Sequence, residues 1–429
     1  MSFRSWGGLP VEAQQCIALE WRDQLPARLP NAGLVTGCGR SYGDVGLAAN
    51  GVVASCLGLN RMLGFDRETG LLHCEAGATL GDILTLVLPQ GWVLPVLPGT
   101  QHVSVAGAIA NDVHGKNHHR RGTFGRHVKS LLLLRSDGTE LRCSEQENVD
   151  WFNVTVAGLG LSGVILEATI QLMPVSGAGL STENIKFHSL DKFFSLSLET
   201  DANWEYSAAW IDCLSSSVRG HFSRARYSEH SEHSAAVTAH TALLDVPFTL
   251  PVSPVNRFSL RAFNSVYYHR QRRRVRCGET SMLAWMFPLD RVGNWNRLYG
   301  RKGFRQYQCV VEPEAIAELL NIIRRAGTGS FLSVLKMFGD VRSPGLLSFP
   351  RRGASLALDF PWRDEHTTAL FKQLDEVVDS CGGAVYPAKD AHMSGRDFRV
   401  AYPAWQTIEQ YRDPNLNSFF WQRVMEGAE

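Results

Sequence analysis

The chain has 429 residues, of which 44% are apolar and 20% are charged, a composition that excludes a disordered or fibrous protein and predicts two or three folded domains. Its 43 basic and 42 acidic side chains leave a net charge of +1, so the overall charge does not favour nucleic acid. The nine cysteines are scattered without a C-x-x-C pair, which argues against a zinc ribbon or a disulfide framework and favours a reducing compartment.

The sequence pattern predicts neither a secretion signal nor a membrane span. The N-terminal segment lacks the long apolar core of a signal peptide. The most hydrophobic window, Leu80–Leu97, is interrupted by Asp82, Pro89, Gly91 and Pro95, whereas a membrane-spanning helix needs about 20 apolar residues. We therefore expect a cytoplasmic protein that at most attaches to the inner face of the cell membrane.

From Ala32 to about Pro174 the sequence consists of short β-rich runs separated by glycine turns. Asp137-Gly138 between two apolar runs predicts a hairpin, because this pair adopts the positive φ angles of a tight turn. The apolar spacing of Leu80–Leu88 predicts a helix. Many short strands without a repeating βαβ array favour an α+β fold, and we assign residues 1–175 to a first domain.

A formal G-x-G-x-x-G occurs at Gly158, Gly160 and Gly163. In a Rossmann unit the third glycine opens a helix whose N-terminus binds a pyrophosphate. Here the residues after Gly163 are β-branched and alternating, which is typical of a strand. The motif therefore predicts a glycine turn that leads into a strand, and not a Rossmann fold.

After Pro174 the sequence changes character, and we assign residues 176–388 to a second domain. Prolines break the apolar residues 242–258, which favours a loop, and we expect a mobile lid near residues 236–276. Residues 389–429 are polar and aromatic, and we expect them to pack back on the first domain. The predicted regular elements of the second domain are strands at Trp204–Ile211, 304–311, 331–338, Ala354–Phe360 and Gly383–Ala388 and helices at Pro313–Ala326 and Glu365–Cys381.

Two glycine-rich stretches indicate a bound anion. In the first, Gly37, Gly39 and Gly43 allow backbone N–H groups to point into one concavity, and Arg40 and Ser41 add a cation and a hydroxyl donor. The alternative for this stretch alone is an ordinary glycine turn.

The second stretch, Pro98–His119, has small residues at 104–110 that let the backbone approach a flat or extended ligand. Its end, HGKNHH, is unconvincing as a metal site, because it lacks a nearby cysteine and an H-E-x-x-H arrangement, and we expect no metal. Two separate glycine loops favour a dinucleotide held outside a Rossmann fold.

These stretches also resemble a known family. The resemblance to the FAD-binding domain of the vanillyl-alcohol-oxidase-type (PCMH-type) flavoproteins rests on TGCGRSYGD, PVLPGTQHVSVAGAIANDVHGKNHH, GTFGRHV and AGLGLSGVI. Among these, the chain is most similar to the decaprenylphosphoryl-β-D-ribose 2′-oxidases, through SAAWID, GFRQYQ, LSVLKMFG, LSFP, VYPAKD and YRDPN. The resemblance implies a two-subdomain α+β FAD-binding domain and an α+β substrate domain with an antiparallel sheet.

The resemblance implies FAD as the cofactor, with its isoalloxazine facing the substrate domain. Family members that bind FAD covalently carry a histidine near the position of Arg40, so the resemblance implies non-covalent FAD here. The residues that it assigns to FAD are Val35, Gly37, Cys38, Gly39, Arg40, Ser41, Tyr42, Gly43, Gly99, Thr100, Ser104, Val105, Ala106, Gly107, Asn111, Asp112, Val113, His114, Ile165 and Tyr386.

Oxidation of a secondary alcohol moves a hydride to flavin N5 while negative charge grows on N1 and the C2 carbonyl, and a cation held there stabilises that charge. The resemblance assigns this cation to Lys389, the alternative being a solvated lysine at a strand end. His114 or a neighbouring group would accept the hydroxyl proton. The substrate is assigned to Tyr42, Lys116, Gln306, Lys336 and Lys389.

The segment Tyr267–Arg276 places five arginines after two tyrosines. Such a run is often only a solvated face, but aromatic groups beside dense positive charge also suit anionic lipid headgroups. With the apolar residues 242–258, the run predicts a lid that receives a prenyl phosphate and makes peripheral contact with a membrane.

The leading hypothesis is an FAD-dependent oxidoreductase that converts the 2-hydroxyl of a polyprenylphosphoryl pentose to a keto group. The resemblance implies a short-chain-dehydrogenase-type reductase as partner, which completes an epimerisation to the arabinose donor of cell-wall arabinan. The alternatives are an alditol or aldonolactone oxidase on the same fold and a non-catalytic flavoprotein that binds sugar lipid. Mycobacterial members carry a cysteine where this sequence has Ala357, which puts cysteine-directed inhibition in doubt but not hydride transfer.

Overall fold

The computed structural model describes residues 2–9, 13–25, 31–200, 203–228 and 244–427. These residues form helices and three main sheets of four, five and eight strands. The two smaller sheets come first in sequence, and the largest follows them. The structure confirms the predicted α+β fold class.

The first sheet presents the first glycine loop. Strands β2 and β3 both pair in parallel with β4, and the glycine loop begins directly after β3. The loop therefore leaves the sheet at the carboxyl end of a parallel strand, which is the end where open sheets bind ligands. The strands are β1 (Ser2–Phe3), β2 (Gln14–Ala18), β3 (Leu34–Thr36) and β4 (Val52–Ser55), in the order β1-β2-β4-β3.

The second sheet is antiparallel, and it contains the turn and the strand that the sequence pattern predicts. The predicted hairpin turn contains Gly138 at a φ of 88°, and the strand predicted after Gly163 is present. The strands are β5 (Met62–Asp66), β6 (Leu71–Glu75), β7 (Trp92–Val93), β8 (Val128–Leu134), β9 (Glu140–Ser144), β10 (Val164–Gln171) and β11 (Met173–Pro174). Five of them form the order β5-β6-β10-β8-β9, and β7 pairs with β11.

Within the described residues, four α-helices accompany these two sheets. Helix α1 begins where predicted, because the Thr79 and Asp82 side chains form a reciprocal cap with the backbone. The helices are α1 (Leu80–Val87), α2 (Val105–Ala110), α3 (His118–Arg121) and α4 (Val149–Thr155). Helix α2 carries the small residues of the second glycine stretch.

The third sheet has eight antiparallel strands, and its two faces differ. Tyr307, Leu335 and Leu356 lie in the apolar core with residues of four long helices. Gln306 and Lys336 alternate with them along the strands and point to the other face, because successive strand residues face opposite sides. This second face is turned toward the two N-terminal sheets.

The strands of this region are β12 (Gly179–Phe187), β13 (Tyr206–Ile211), β14 (Gly220–Tyr227), β15 (Leu244–Asp245), β16 (Val275–Ser281), β17 (Val292–Gly293), β18 (Phe304–Val311), β19 (Ser333–Phe338), β20 (Gly353–Pro361) and β21 (Ala384–Val385). The large sheet has the order β16-β12-β14-β13-β19-β20-β18-β21, and β15 pairs with β17. The helices are α5 (Leu190–Thr200), α6 (Arg257–His269), α7 (Met282–Met286), α8 (Ile316–Ala326) and α9 (Asp364–Ser380).

Part of the expected lid is regular structure. Helix α6 starts at a cap formed by Asn256 with Ser259, and it buries Leu260, Asn264 and Tyr268 along one side. The predicted loop therefore ends at Asn256, because a capped helix with one apolar side can pack directly after the prolines. Residues 236–243 of the expected lid lie outside the described residues.

The C-terminal segment contains α10 (Gly395–Ala401), α11 (Trp405–Tyr411) and α12 (Phe419–Glu426). Its backbone bonds to the first domain: Asn417 N–H donates to the Gly33 carbonyl over 2.7 Å, and Phe419 N–H donates to the Leu47 carbonyl over 2.8 Å. These bonds join the end of the chain to the elements that carry the first glycine loop.

Candidate active site

A large cavity lies between the two N-terminal sheets and the face of the third sheet that carries Gln306 and Lys336. The glycine loops and helix α2 form one wall, and alternate residues of β18, β19 and β20 form the other. The predicted site residues that line it are Val35, Gly37, Cys38, Gly39, Arg40, Ser41, Tyr42, Gly43, Gly99, Thr100, Ser104, Ala106, Gly107, Asn111, Val113, His114, Ile165, Gln306, Lys336, Tyr386 and Lys389.

The glycines of this wall lack a side chain for different physical reasons. A Cβ atom on Gly37 would lie 2.0 Å from Ser104 Oγ, and one on Gly43 would lie 1.4 Å from the Asp390 carbonyl oxygen, so neither position admits a side chain. A Cβ atom on Gly99 would meet no atom within 4 Å. Since Gly99 lines the cavity, its bare backbone keeps open a space that a ligand could fill.

Three buried polar atoms of cavity-lining residues have no hydrogen-bond partner among the residues that the structure describes. They are Arg40 Nε, Asn111 Oδ1 and His114 Nδ1. Leaving such atoms unpaired is costly, so a ligand that carries donors and acceptors would satisfy them. The glycine wall and these atoms fit the predicted FAD.

Arg40 lies in the first glycine loop against an aromatic ring. Its guanidinium carbon is 3.9 Å from the centroid of the Trp6 ring. Burial lowers the pKa of Arg40, and the nearby Asp290 carboxylate opposes that shift. Trp6 and Asp290 also line the cavity, although the sequence analysis assigned neither to the site.

His114 lies in a buried aromatic setting and is neutral. Its Nε2 atom is 3.0 Å from Gln308 Nε2, and its ring contacts Phe338, Phe349 and Tyr386. Burial, with a smaller contribution from the charge of Lys336, holds the pKa of His114 well below its usual value. The ring therefore has a weak tendency to accept a proton at neutral pH.

Lys389 lies directly over the ring of Tyr42, with Nζ 3.4 Å from the ring centroid. Burial lowers the pKa of Lys389 to about 7, and the Asp359 carboxylate opposes that shift. Asp359 is itself buried, which raises the pKa of its carboxyl group, and it accepts a 2.6 Å hydrogen bond from Gln306 Nε2. Two cavity-lining groups, the Lys389 ammonium and the Gln306 amide, thus share the neighbouring buried carboxyl group of Asp359.

Lys336 adds a second ammonium group to the cavity. Its Nζ donates to the Gly115 carbonyl over 3.3 Å. Burial lowers the pKa of Lys336 to about 7, with further contributions from the charges of Lys116 and Lys389. A lysine with such a pKa can exist in both protonation states near neutral pH.

Comparison with known proteins decides the family. The protein-family model described as an FAD binding domain matches residues 29–144 of the chain. The chain is 36% identical to the decaprenylphosphoryl-β-D-ribose oxidase of Mycolicibacterium smegmatis over 399 residues, which cover 89% of this chain and 86% of that protein. The chain belongs to the decaprenylphosphoryl-β-D-ribose oxidase family.

The chain is also similar to two other proteins. An uncharacterised protein of Streptomyces coelicolor is 33% identical over 78% of this chain and 95% of its own length. The L-gulonolactone oxidase of Mus musculus is 32% identical over 38% of this chain and 34% of its own length. Membership in the decaprenylphosphoryl-β-D-ribose oxidase family confirms three predictions. These are the family resemblance, FAD as the cofactor and the assignment of the protein as an oxidoreductase.

In this member of the decaprenylphosphoryl-β-D-ribose oxidase family, three predicted site residues do not line the cavity. Val105 lies in the apolar core. The buried Asp112 carboxylate instead accepts hydrogen bonds from the Gly125 N–H over 2.9 Å and from the hydroxyl groups of Ser343 and Ser348. Its side chain therefore holds loops together behind the site.

Lys116 is the third of these residues, and it was predicted to bind substrate. Its Nζ donates to the carbonyls of Trp285, over 2.8 Å, and Met286, over 3.1 Å, and it lies over the Trp285 ring. The C-terminal end of helix α7 thus holds this ammonium group, and its binding of substrate stays a prediction.

Sequence reasoning missed Gln308, Ser355 and Asp359. Gln308 follows Gln306 by two positions on β18, and Ser355 and Ala357 share a face of β20. The period of two in a strand could have indicated Gln308 once Gln306 was assigned. Asp359 gave no such signal, because only the fold brings it to Gln306 and Lys389.

Proposed function

We propose that this protein oxidises the 2-hydroxyl of a polyprenylphosphoryl pentose to a keto group, with FAD bound non-covalently. The observation that carries the proposal is the convergence of the glycine wall with Lys336 and Lys389 in one cavity. It is supported by the 36% identity to the decaprenylphosphoryl-β-D-ribose oxidase. The product would pass to a reductase that completes an epimerisation toward the arabinose donor of cell-wall arabinan.

FAD, when bound, supplies a hydride acceptor for the alcohol. The glycine wall, with Asn111 and Arg40, would hold the cofactor, and Tyr386 would support it, since its hydroxyl donates to the Asn111 carbonyl over 2.9 Å. The Lys389 ammonium is already in place and would stabilise the negative charge that the reaction creates, with little reorganisation.

The hydroxyl proton of the substrate needs an acceptor inside the cavity. His114 is a weak candidate because burial holds its pKa far below neutral. Lys336 lines the same cavity with a pKa of about 7, which suits a group that takes up and releases a proton at neutral pH. We therefore propose that neutral Lys336 accepts the hydroxyl proton. His114, which is held by Gln308, would orient the substrate.

The proposal includes a membrane-facing surface that would receive the prenyl chain. We call it the basic-apolar face: helix α6, the preceding residues 244–256 and the following arginines. Phe258 and Val266, 81% and 72% exposed, lie on the outer side of α6, opposite its buried residues. The exposed cations of this face are Arg257, Arg261, Arg270, Arg272, Arg273 and Arg274.

This face is connected to the cavity. Val246 N–H donates to the Gly293 carbonyl over 3.0 Å, and Arg297 Nη1 donates to the Val246 carbonyl over 2.8 Å. The segment that these bonds fix contains Trp295, which lines the cavity. Apolar groups flanked by cations suit the surface of an anionic bilayer, so a lipid-linked sugar could reach the cavity while its prenyl chain stays in the membrane. Among the described residues, no helix is long and apolar enough to span a bilayer.

The test of the substrate is anaerobic mixing of the FAD-loaded protein with prenylphosphoryl ribose, ribitol or L-gulonolactone, followed by flavin absorbance. We expect rapid bleaching with prenylphosphoryl ribose. Faster bleaching with ribitol or the lactone would assign the protein to free sugars, and no bleaching with any of them would favour a binding protein without catalysis.

A second test addresses how FAD is held. Acid precipitation should release intact FAD into the supernatant, because Arg40 occupies the loop position at which covalent relatives carry a histidine and an arginine forms no imidazole–flavin bond. Flavin colour that stays in the pellet would contradict this expectation.

A further inference from the structure

A buried ionic cluster lies behind Lys389. The next residue, Asp390, has no exposed surface. Its carboxylate accepts hydrogen bonds from the N–H groups of His392 and Met393 and forms ion pairs with His392 Nδ1 over 2.8 Å and with Arg423 Nη2 over 2.9 Å. Asp390 therefore fixes the turn that carries Lys389.

Arg423 joins this turn to the first glycine loop. From helix α12, its Nε and Nη2 atoms donate to the two carboxylate oxygens of Asp44 over 2.9 Å and 3.0 Å, while Nη2 also binds Asp390. Asp44 directly follows Gly43, where a Cβ atom would meet the Asp390 carbonyl oxygen at 1.4 Å. One guanidinium group thus bridges two walls of the cavity.

A second connection runs to the third sheet. His392 Nε2 is 3.3 Å from an Asp375 carboxylate oxygen, and Asp375 accepts a 2.8 Å hydrogen bond from the Tyr307 hydroxyl. Tyr307 lies between the two cavity-lining glutamines of β18. The two carboxylates outweigh burial and raise the pKa of His392 to about 10, so this imidazole is charged at neutral pH.

We propose that Arg423 is a positioning residue that fixes the Lys389 ammonium relative to the first glycine loop, by clamping Asp390 to Asp44. The inference rests on the proposed role of Lys389. Tyr42 N–H donates to the Ala388 carbonyl over 3.2 Å, so the loop and the turn meet at the ring over which Lys389 lies. Without the clamp these two backbones could shift, and a displacement of about 1 Å at a reacting group can cost about 10²-fold in rate.

The variants are Arg423→Gln, which removes the charge, and Arg423→Lys, which keeps the charge but cannot bind both carboxylates in the same fork geometry. The matched control is Arg412→Gln in the same C-terminal segment, where the guanidinium pairs with the exposed Glu409. Each FAD-loaded variant is compared for flavin reduction rate at saturating prenylphosphoryl ribose and for the midpoint potential of the bound FAD.

We expect Arg423→Gln and Arg423→Lys to slow reduction by about 10- to 100-fold and to lower the midpoint potential, as we also expect for Lys389→Ala, while the control stays at the wild-type values. In a Lys389→Ala background, Arg423→Gln should slow reduction no further, because residues that act through one group are not additive. If Arg423→Gln does not fold, Arg423→Lys decides by the same criteria.

Wild-type rate and potential in the Arg423 variants, or a full additional loss in the Lys389→Ala background, would overturn the inference while leaving the role of Lys389 intact. A wild-type rate in Lys389→Ala itself would instead remove that role and, with it, the positioning of Arg423.

Discussion

Two sets of cations in this chain have opposite surroundings. Arg40, Lys336 and Lys389 are enclosed by the walls of the cavity, and burial lowers the pKa of each. The arginines at 270 and 272–274 are exposed beside apolar groups. An enclosed charge acts on one group at a defined distance with little screening, whereas an exposed charge acts on a whole surface and is screened by salt. Burial, and not residue type, separates the proposed chemistry from the proposed membrane contact.

The largest effect on flavin reduction is expected when an enclosed cation is removed. Lys389→Ala should keep the fold but slow flavin reduction by about 10²–10³-fold, roughly 2.7–4 kcal/mol, which is the typical loss of a preorganised electrostatic stabiliser. The measurement is the anaerobic reduction rate of flavin-replete variant at saturating substrate. A rate within about threefold of wild type, below ~1 kcal/mol, would make Lys389 a bystander.

Removing exposed cations should affect a different measurement. Replacing Arg272, Arg273 and Arg274 by Gln should weaken binding to anionic vesicles by up to about 100-fold at low salt, since each surface cation contributes about 1 kcal/mol, and the difference should shrink as salt rises. Flavin reduction by a short-chain, water-soluble prenylphosphoryl ribose should not change.

The matched control for this triple variant removes three exposed charges from the second-sheet subdomain, at Arg67, Lys129 and Arg142. It should bind vesicles as the wild type does. Equal binding by both triple variants would make the arginine run an ordinary solvated face.

The pH dependence of flavin reduction should distinguish the roles of two enclosed cations, Lys336 and Lys389. As pH rises through about 7, Lys336 becomes the neutral acceptor that the proposal requires, while Lys389 loses the ammonium that it requires. Opposite requirements predict a bell-shaped rate profile near neutral pH, with a several-fold fall on each side. The groups that face this pair are Asp359, Arg40 and Lys116.

Lys389→Arg separates the two limbs of this profile. A guanidinium group stays charged throughout the range, so the fall on the alkaline side should disappear while the acid side remains. The overall rate should stay below wild type, because a planar guanidinium cannot occupy the same point as an ammonium group. An unchanged alkaline limb would assign it to another group.

Local patterns were enough for much of the fold. The Asp137-Gly138 hairpin, helix α1 and the strand after Gly163 follow from turn chemistry and periodicity, which act over a few residues. Helix α6 was not predicted, because three nearby prolines suggested a loop and its stability depends on burying one side against the third sheet. The predicted strand at Gly383–Ala388 is confined to Ala384–Val385, since the following residues turn toward the cavity.

The site divides in the same way. The sequence by itself determined the glycine loops, the family with its FAD cofactor, and the presence of Lys389, because these depend on backbone conformations and motifs that are local in the chain. Only the tertiary structure decided that Lys116 points to helix α7, that Gln308 holds His114, and that Arg423 bridges Asp44 to Asp390. Those contacts join residues far apart in sequence, and their energies depend on burial and distance, which exist only once the sheets and the C-terminal segment have packed together.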